Sequence, residues 1–341
     1  MKYLKVAAGK AEDARRKLIE AGALDTSVEI VREAGHVLFP VSKEVKIREA
    51  GVVELEGKAR KEKSKSLNEA LAGKLTESEL SLVPSAFDIV GDIAILDLPD
   101  GIVARKKVIA DALLSTFRNI RVVCLKASKV DSEFRVPGIE WIAGERRNET
   151  VHMEHGCKIK LDVSKVYFSP RLSTERMRIV EKINDGENVL VLFAGAGPYA
   201  ILAAKKRKCY VTAIELNPSG AAYMRENVKL NKLDNVKVIE GDVKKEAPKL
   251  NGEYDRIVMP LPKDAGNFLD VTLPALKKGG VVHFYDFAHT PEESAEKVLA
   301  ITRELGYKAR IIEAVECGSY SPCLSRMCVD FTVGDINPGK R

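Results

Sequence analysis

The chain has 341 residues, 45% hydrophobic and 30% charged, which excludes a disordered tether and leads us to expect two or three packed domains. Fifty-five basic residues against 49 acidic ones leave a net +6, a bias toward a polyanionic partner that would equally suit an ion-pair-rich surface. No uninterrupted apolar run reaches the ~18 residues of a membrane-spanning helix, and Met1 to Val6 lack the apolar stretch of a secretory signal, so a cytoplasmic protein without a membrane partner is expected.

In chain order, Tyr3 to Ala7 reads as a strand and Ala11 to Ala21 as a helix with Ala14, Leu18 and Ile19 on one face. His36 to Val41 and Val52 to Leu55 read as further strands, giving a small N-terminal α+β domain over residues 1–57. Lys58, Arg60, Lys61, Lys63 and Lys65 then crowd a stretch with almost no apolar residue. We read 58–77 as a solvated basic linker, which is compatible with contact to phosphates. A middle α+β domain is expected over 78–165. In it, Phe87 to Leu96 form paired strands turning at Gly91-Asp92, Val103 to Phe117 a helix, and Thr150 to Val163 a hairpin turning near His155-Gly156.

Residues 166–341 alternate strands and helices as a doubly wound α/β sheet does. The strands fall at Val189 to Phe193, Val211 to Ile214, Val236 to Ile239, Arg256 to Met259 and Val281 to Tyr285, and Ala309 to Val315 with Cys328 to Val333 close the sheet as an antiparallel pair. Helices are expected from Pro198 and over Pro218 to Leu230.

The chemistry concentrates at Phe193-Ala194-Gly195-Ala196-Gly197-Pro198, where a buried strand ends and a helix begins. Glycines let the backbone approach a ligand closely at the carboxyl edge of such a sheet. A dinucleotide site needs N–H groups aimed at a pyrophosphate, and Pro198 has none to offer. The turn therefore suits a nucleoside ligand without phosphates, such as S-adenosylmethionine, and speaks against a dehydrogenase. Glu215 falls at the tip of the second strand, where a carboxylate can accept both ribose hydroxyls, and Asp242 follows the third, within reach of an adenine amino group. The alternative for both is a helix N-cap.

Further segments carry a resemblance. Glu133-Phe134-Arg135-Val136, Tyr167-Phe168-Ser169-Pro170-Arg171 with Glu175-Arg176, the glycine turn, Asn217-Pro218 and Asn231-Lys232-Leu233 occur in that order. The chain resembles the archaeal and eukaryotic tRNA (guanine-37 N1)-methyltransferases, closely from about residue 80 onward and more loosely before it. The resemblance implies a Rossmann-type class I methyltransferase domain, a middle domain and a mobile N-terminal domain that checks the outer corner of the tRNA. It also implies S-adenosyl-L-methionine as cofactor, the tRNA anticodon loop as target and no required protein partner. Guanine N1 carries a proton at neutral pH, so its methylation needs a base and a group to hold the charge developing on O6. By resemblance Glu175 is the base and Arg135 holds the oxygen, while Tyr167 and Arg171 line the methionine end of the cofactor. Phe193, Ala194, Gly195, Gly197, Pro198, Glu215, Leu216, Asp242, Val243 and Pro260 complete the expected cofactor site. Alone, Glu175 would read as a helix-start carboxylate and Arg135 as half of a surface ion pair.

Two departures stand out. Val191 occupies a strand position that is often acidic in the family, and in Met259-Pro260-Leu261-Pro262-Lys263 a proline replaces the usual asparagine. A side-chain donor and acceptor is lost there and the pocket becomes more rigid. This points to the bifunctional branch that also methylates carbon 7 of 4-demethylwyosine at the same tRNA position. The rivals are an aminocarboxypropyltransferase acting on that precursor and an inactive tRNA-binding protein. His152, His155 and Cys157 have no fourth ligand in view and read as ordinary polar residues, so no metal is expected. Six cysteines without Cys-x-x-Cys spacing read as mostly free thiols, though Cys317 and Cys328 flank the last strand pair and are candidates for pairing. Trp141 reads as a core residue.

Overall fold

The computed structural model describes the chain except residues 34, 44, 46, 48–49, 58–65, 128–135, 137, 251, 322 and 335–341. It divides into two compact units, 1–66 and 67–341.

The first unit holds β1 (Lys2–Ala7), α1 (Ala11–Glu20), β2 (Val31–Glu33), β3 (His36–Pro40) and β4 (Gly51–Glu54). The strands form one sheet ordered β2-β3-β1-β4. Alternation along β1 and β3 turns Leu4, Val6, Val37 and Phe39 inward against Ala14 and Leu18 of α1. Ile19, expected on that helix face, is instead 54% exposed. The strand β2 went unread in the sequence because it spans three residues with a single apolar one.

The second unit opens with α2 (Leu67–Leu71) and α3 (Glu77–Leu82). These replace the end of the linker expected to reach residue 77, because Leu67 and Leu71 are buried in the core that follows. The basic run 58–65 lies outside the described residues. Then come β5 (Asp88–Val90), β6 (Ile93–Leu96), α4 (Asp100–Val103), α5 (Lys106–Thr116), β7 (Val122–Lys126) and β8 (Ile139–Gly144). The expected helix from Val103 is in fact two, broken at Ala104-Arg105. β5 and β6 pair antiparallel about Gly91-Asp92, and β6 pairs parallel with β7 across α4 and α5. Trp141 is not in the core. It is 39% exposed on β8, and its indole N–H donates to the Glu145 carbonyl.

The hairpin β9 (Glu149–Glu154) and β10 (Cys157–Asp162) turns at His155-Gly156, both at positive φ. Its open edge is closed by side chains. Asn231 accepts from the Lys158 N–H and donates to the Lys158 carbonyl, and Asn227 does the same for Lys160. Two amides one helical turn apart thus stand in for a neighbouring strand.

The remaining elements are α6 (Ser173–Glu181), β11 (Asn188–Val191), α7 (Pro198–Lys206), β12 (Tyr210–Glu215), α8 (Pro218–Leu230) and β13 (Val236–Glu240). They continue with α9 (Val243–Glu246), β14 (Tyr254–Met259), α10 (Leu269–Thr272), β15 (Leu276–Ala288), α11 (Pro291–Glu304), β16 (Ala309–Ser321) and β17 (Leu324–Val333). The seven-stranded sheet is ordered β13-β12-β11-β14-β15-β17-β16, parallel through β15 and antiparallel beyond it, as the sequence predicts. The chain leaves β11 toward β12 and β13, then returns to lay β14 on the other side of β11. That reversal opens a crevice at the carboxyl end of β11, where α/β folds bind ligands.

Candidate cofactor and catalytic site

The turn after β11 sits at that crevice. Phe193 adopts a left-handed conformation (φ 51°), uncommon for a bulky residue, and its ring meets Phe268 edge-on at 4.8 Å. Gly195 and Gly197 are also left-handed (φ 58° and 83°). A Cβ on Gly197 would lie 2.6 Å from Met224 Cγ, so glycine there is required by space as well as by backbone. Ala194 is buried, and Pro198 occupies the first turn of α7, where a missing N–H costs nothing.

Glu215 ends β12 directly against this turn. Its carboxylate accepts from the Gly195 N–H at 2.5 Å and the Asn217 N–H at 2.7 Å, and it is 8% exposed. Burial pushes the carboxyl up, while the N–H groups of Asn217, Gly195 and Leu216 pull against that. The two short bonds, one to each oxygen, leave acceptor capacity of the kind a ribose diol requires. A residue unread in the sequence contributes here. A Cβ on Gly220 would stand 3.0 Å from Glu215 Cγ, so the first turn of α8 has room for the carboxylate only because that position is bare. Glu215 itself is no helix cap. Asn217 caps α8 through the Ser219 N–H, and its amide also donates to the Lys165 carbonyl.

Asp242 does cap α9, accepting from the Lys244 N–H at 2.9 Å, with Val243 buried behind it. Leu216 is 39% exposed at the tip of β12, an apolar surface beside the turn. Pro260 follows β14 in a tight turn in which the Leu261 N–H reaches back to the Met259 carbonyl at 2.7 Å. Tyr167 is exposed, yet its carbonyl lies 3.6 Å from where a Gly195 side chain would begin. Arg171 makes an ion pair with Asp88 of β5 at 2.7 Å and is largely solvated. Arg135 lies outside the described residues.

These residues fit S-adenosylmethionine better than a phosphorylated nucleotide. The crevice offers a buried diol acceptor, an apolar flank and a proline where an anion would need an N–H.

Glu175 lies on the first turn of α6, 5% exposed. Arg178 grips its carboxylate through two parallel bonds, Nε to Oε2 at 2.7 Å and Nη2 to Oε1 at 2.8 Å. The Tyr285 hydroxyl on β15 donates to Oε1 at 2.5 Å, and the Tyr199 hydroxyl on α7 donates to that of Tyr285 at 3.0 Å. Two hydroxyls therefore join Glu175 to the helix that begins at the glycine turn. Arg176, the neighbour in the family motif, turns instead to Glu154 in a buried bidentate pair, with Phe168 stacked beneath it.

Behind Glu175 runs a chain of charges that sequence reading missed altogether. Arg178 Nη1 also donates to Asp330 on β17 at 3.0 Å, and Lys182 reaches the same oxygen at 2.6 Å. Asp330 accepts from His283 Nδ1 at 2.6 Å, because Arg256 donates to Nε2 at 2.7 Å and so fixes the tautomer. Burial keeps the His283 imidazole below its ordinary value, although Asp330 pulls it the other way. Burial opposes ionisation of Asp330, but His283, Lys182 and Arg178 together hold its carboxyl well below the usual carboxylate range. His283, Cys328 and Asp330 cluster within metal-ligand reach of one another, yet Arg178, Lys182 and Arg256 surround them and disfavour a cation.

His152 Nδ1 faces the Gly91 N–H, and His155 contacts Ser173. Cys317 and Cys328, the candidates for pairing, are both free thiols.

Residues 150–310 match the TRM5/TYW2 methyltransferase domain, 67–147 the TYW2 N-terminal domain, and 4–49 the tRNA methyltransferase 5 N-terminal domain. The tRNA (guanine(37)-N(1))-methyltransferase Trm5b of Pyrococcus abyssi is 38% identical over 97% of this chain and 98% of its own. The tRNA (guanine(37)-N(1))/4-demethylwyosine(37)-methyltransferase Taw22 of Nanoarchaeum equitans is 33% identical over 64% of this chain and 90% of its own. Among solved structures, the complex of aTrm5 and tRNALeu superposes with a TM-score of 0.73 at 31% identity, covering 98% of this chain and all of the other. With a glycine turn, an adjoining buried carboxylate and likeness along almost its whole length, the chain belongs to the TRM5/TYW2 methyltransferase family.

Proposed function

We propose that this chain transfers a methyl group from S-adenosylmethionine to N1 of guanosine at position 37 of tRNA, and that it also methylates carbon 7 of 4-demethylwyosine at that position. The observation that carries the reading is the Glu215 carboxylate bonded to the Gly195 N–H at the proline-ended turn, in a chain alike to Trm5b from end to end. Glu215 holds the cofactor ribose, Asp242 faces the adenine edge with the oxygen that does not cap α9, and Leu216 and Val243 supply apolar contact. Phe193 to Pro198 approach the ligand by backbone, Pro260 closes the pocket, and Tyr167 and Arg171 flank its methionine end. The cofactor, when bound, supplies an electrophilic methyl group on sulfur. Glu175 takes the N1 proton, so that the pair released on nitrogen forms the bond to methyl as the methyl–sulfur bond breaks and its pair returns to sulfur, and Arg135 holds the charge that moves onto O6. Residues 1–57 meet the outer corner of the tRNA, and 78–165 with the catalytic domain meet the anticodon loop.

Pro260 supports the second reaction. A proline turn without a side-chain donor makes no demand for an unmodified guanine edge. The test is mass spectrometry of anticodon-loop nucleosides after incubation with cofactor and tRNA carrying either guanosine or 4-demethylwyosine. Gain of one methyl group on both substrates is expected, with Pro260→Asn losing the second activity by about tenfold or more. Methylation of guanosine alone rejects the dual activity, and an aminocarboxypropyl mass on the precursor rejects the methyltransferase reading.

A further inference from the structure

We infer that Arg178 and Tyr285 are positioning residues that fix the Glu175 carboxylate so that Oε2 is the atom that receives the substrate proton. The inference rests on the reading of Glu175 as the base and extends it to particular atoms and partners.

A carboxylate offers about four acceptor directions. Oε1 of Glu175 has two filled, by the Tyr285 hydroxyl and Arg178 Nη2, while Oε2 has one filled, by Arg178 Nε. Among the described residues, the direction left open is on Oε2. The bidentate arginine removes free rotation of the carboxylate, and Tyr285 decides which oxygen is left open. Tyr285 and Tyr199 are nearly sealed in the core, at 1% and 5% exposure, where hydroxyls are costly unless satisfied and phenylalanine would fill nearly the same space. Both hydroxyls are spent on one chain that ends at Glu175.

Arg178 is in turn shared. Its Nη1 is held by Asp330 and Glu313, so the guanidinium stays in plane with Glu175 whatever the protonation of that carboxylate. Burial works against the Arg178 charge, and the Glu175 and Asp330 carboxylates more than restore it. The other groups facing Glu175 are the Cys317 thiol of β16, pushed up by burial to about 12, and the Cys328 thiol of β17, raised further by the same cause. Both stay neutral across the working range, as do the two tyrosines, so none of these four groups offers a second base beside Glu175.

The test uses the full chain with guanosine-37 tRNA and four variants: Tyr285→Phe, Arg178→Lys, Glu175→Gln, and Glu175→Gln combined with Tyr285→Phe. Tyr285→Phe is expected to lower kcat about tenfold with KM for tRNA and cofactor affinity unchanged. Removing a donor makes the carboxylate more basic, so the acid limb of the kcat profile moves up by about one pH unit. Arg178→Lys, which keeps the charge and loses the fork, moves the limb the same way. The combined variant falls no lower than Glu175→Gln alone, because Tyr285 acts through a base that is already gone. Additive losses in the combined variant, or an acid limb unmoved by both single substitutions, overturn the positioning roles while leaving Glu175 as the base. A Glu175→Gln enzyme as active as the parent overturns the base itself. Thermal unfolding of each variant separates these outcomes from a loss of fold, and Arg178→Lys carries the test should Tyr285→Phe not fold.

Discussion

Glu215 and Glu175 are both nearly sealed from solvent, at 8% and 5% exposure, yet the groups that hold them differ in kind. Glu215 is held by backbone N–H groups of a turn 20 residues before it and of a helix start two residues after it. Glu175 is held by side chains gathered from α6 and β15 and backed by β16 and β17, with Tyr285 lying 110 residues away. A backbone cradle has no protonation state of its own and presents the same donors at any pH. A side-chain cradle brings a fixed charge and a hydroxyl to the carboxylate, so it can set the state of a base. The first arrangement suits recognition of a neutral diol, and the second suits proton transfer.

Three experiments would break or sharpen this contrast. The largest effect is expected from Glu215→Ala, which removes the carboxylate proposed to hold the ribose and should weaken cofactor binding by about 100-fold in calorimetry. The acid limb of the rate profile should stay where it is, and a shifted limb would show that the two carboxylates are coupled. Next is Gly197→Ala, which places a Cβ 2.6 Å from Met224 in a left-handed conformation. A loss of roughly 2–3 kcal/mol in denaturant unfolding is expected, and a loss below about 0.5 kcal/mol would mean that the turn yields more easily than its geometry implies.

The smallest effect concerns pH. His283 is held neutral by burial, so the unfolded chain binds a proton near the ordinary imidazole value of about 6.5 that the folded chain refuses. Stability is then lost as pH falls below that value. Asp330 adds a second loss at lower pH. Its depressed carboxyl contributes stability above the unfolded value near 4, which disappears as pH falls toward the folded one. His283→Gln should flatten the upper part of the curve without changing cofactor affinity. An unchanged slope between pH 7 and 5 would remove His283 from the account.

The same contrast explains what could be read from the sequence. The glycine turn, Glu215 and the hairpins at Gly91-Asp92 and His155-Gly156 were legible because each is specified by a few neighbouring residues whose types permit little else. The helix α11 could have been found the same way. Thr290 caps it, Pro291 starts it and Glu293 lies three residues on, a local signature that was present and passed over. Other features were beyond reach. The strand β7 is a short apolar run whose identity depends on lying parallel to β6, and Trp141 looked like core because its aromatic size is visible and its facing is not. Glu175 could be named from its motif, but its partner Tyr285 and the Arg178–Asp330 contact are set by the fold of strands more than a hundred residues downstream.

The amides of Asn227 and Asn231 on α8 have a consequence for how this protein behaves in crowded solution. A hairpin of two strands would ordinarily present an unpaired rim, a place where a second chain can add itself and begin a fibril. Here the amide groups occupy that rim at Lys158 and Lys160 with the same donors and acceptors an intruding strand would use. Because the amides are fixed to a helix, the seal admits no slippage of register and cannot be passed on to another copy. Leucine at either position would still pack on the helix, but it would leave the rim open to self-association.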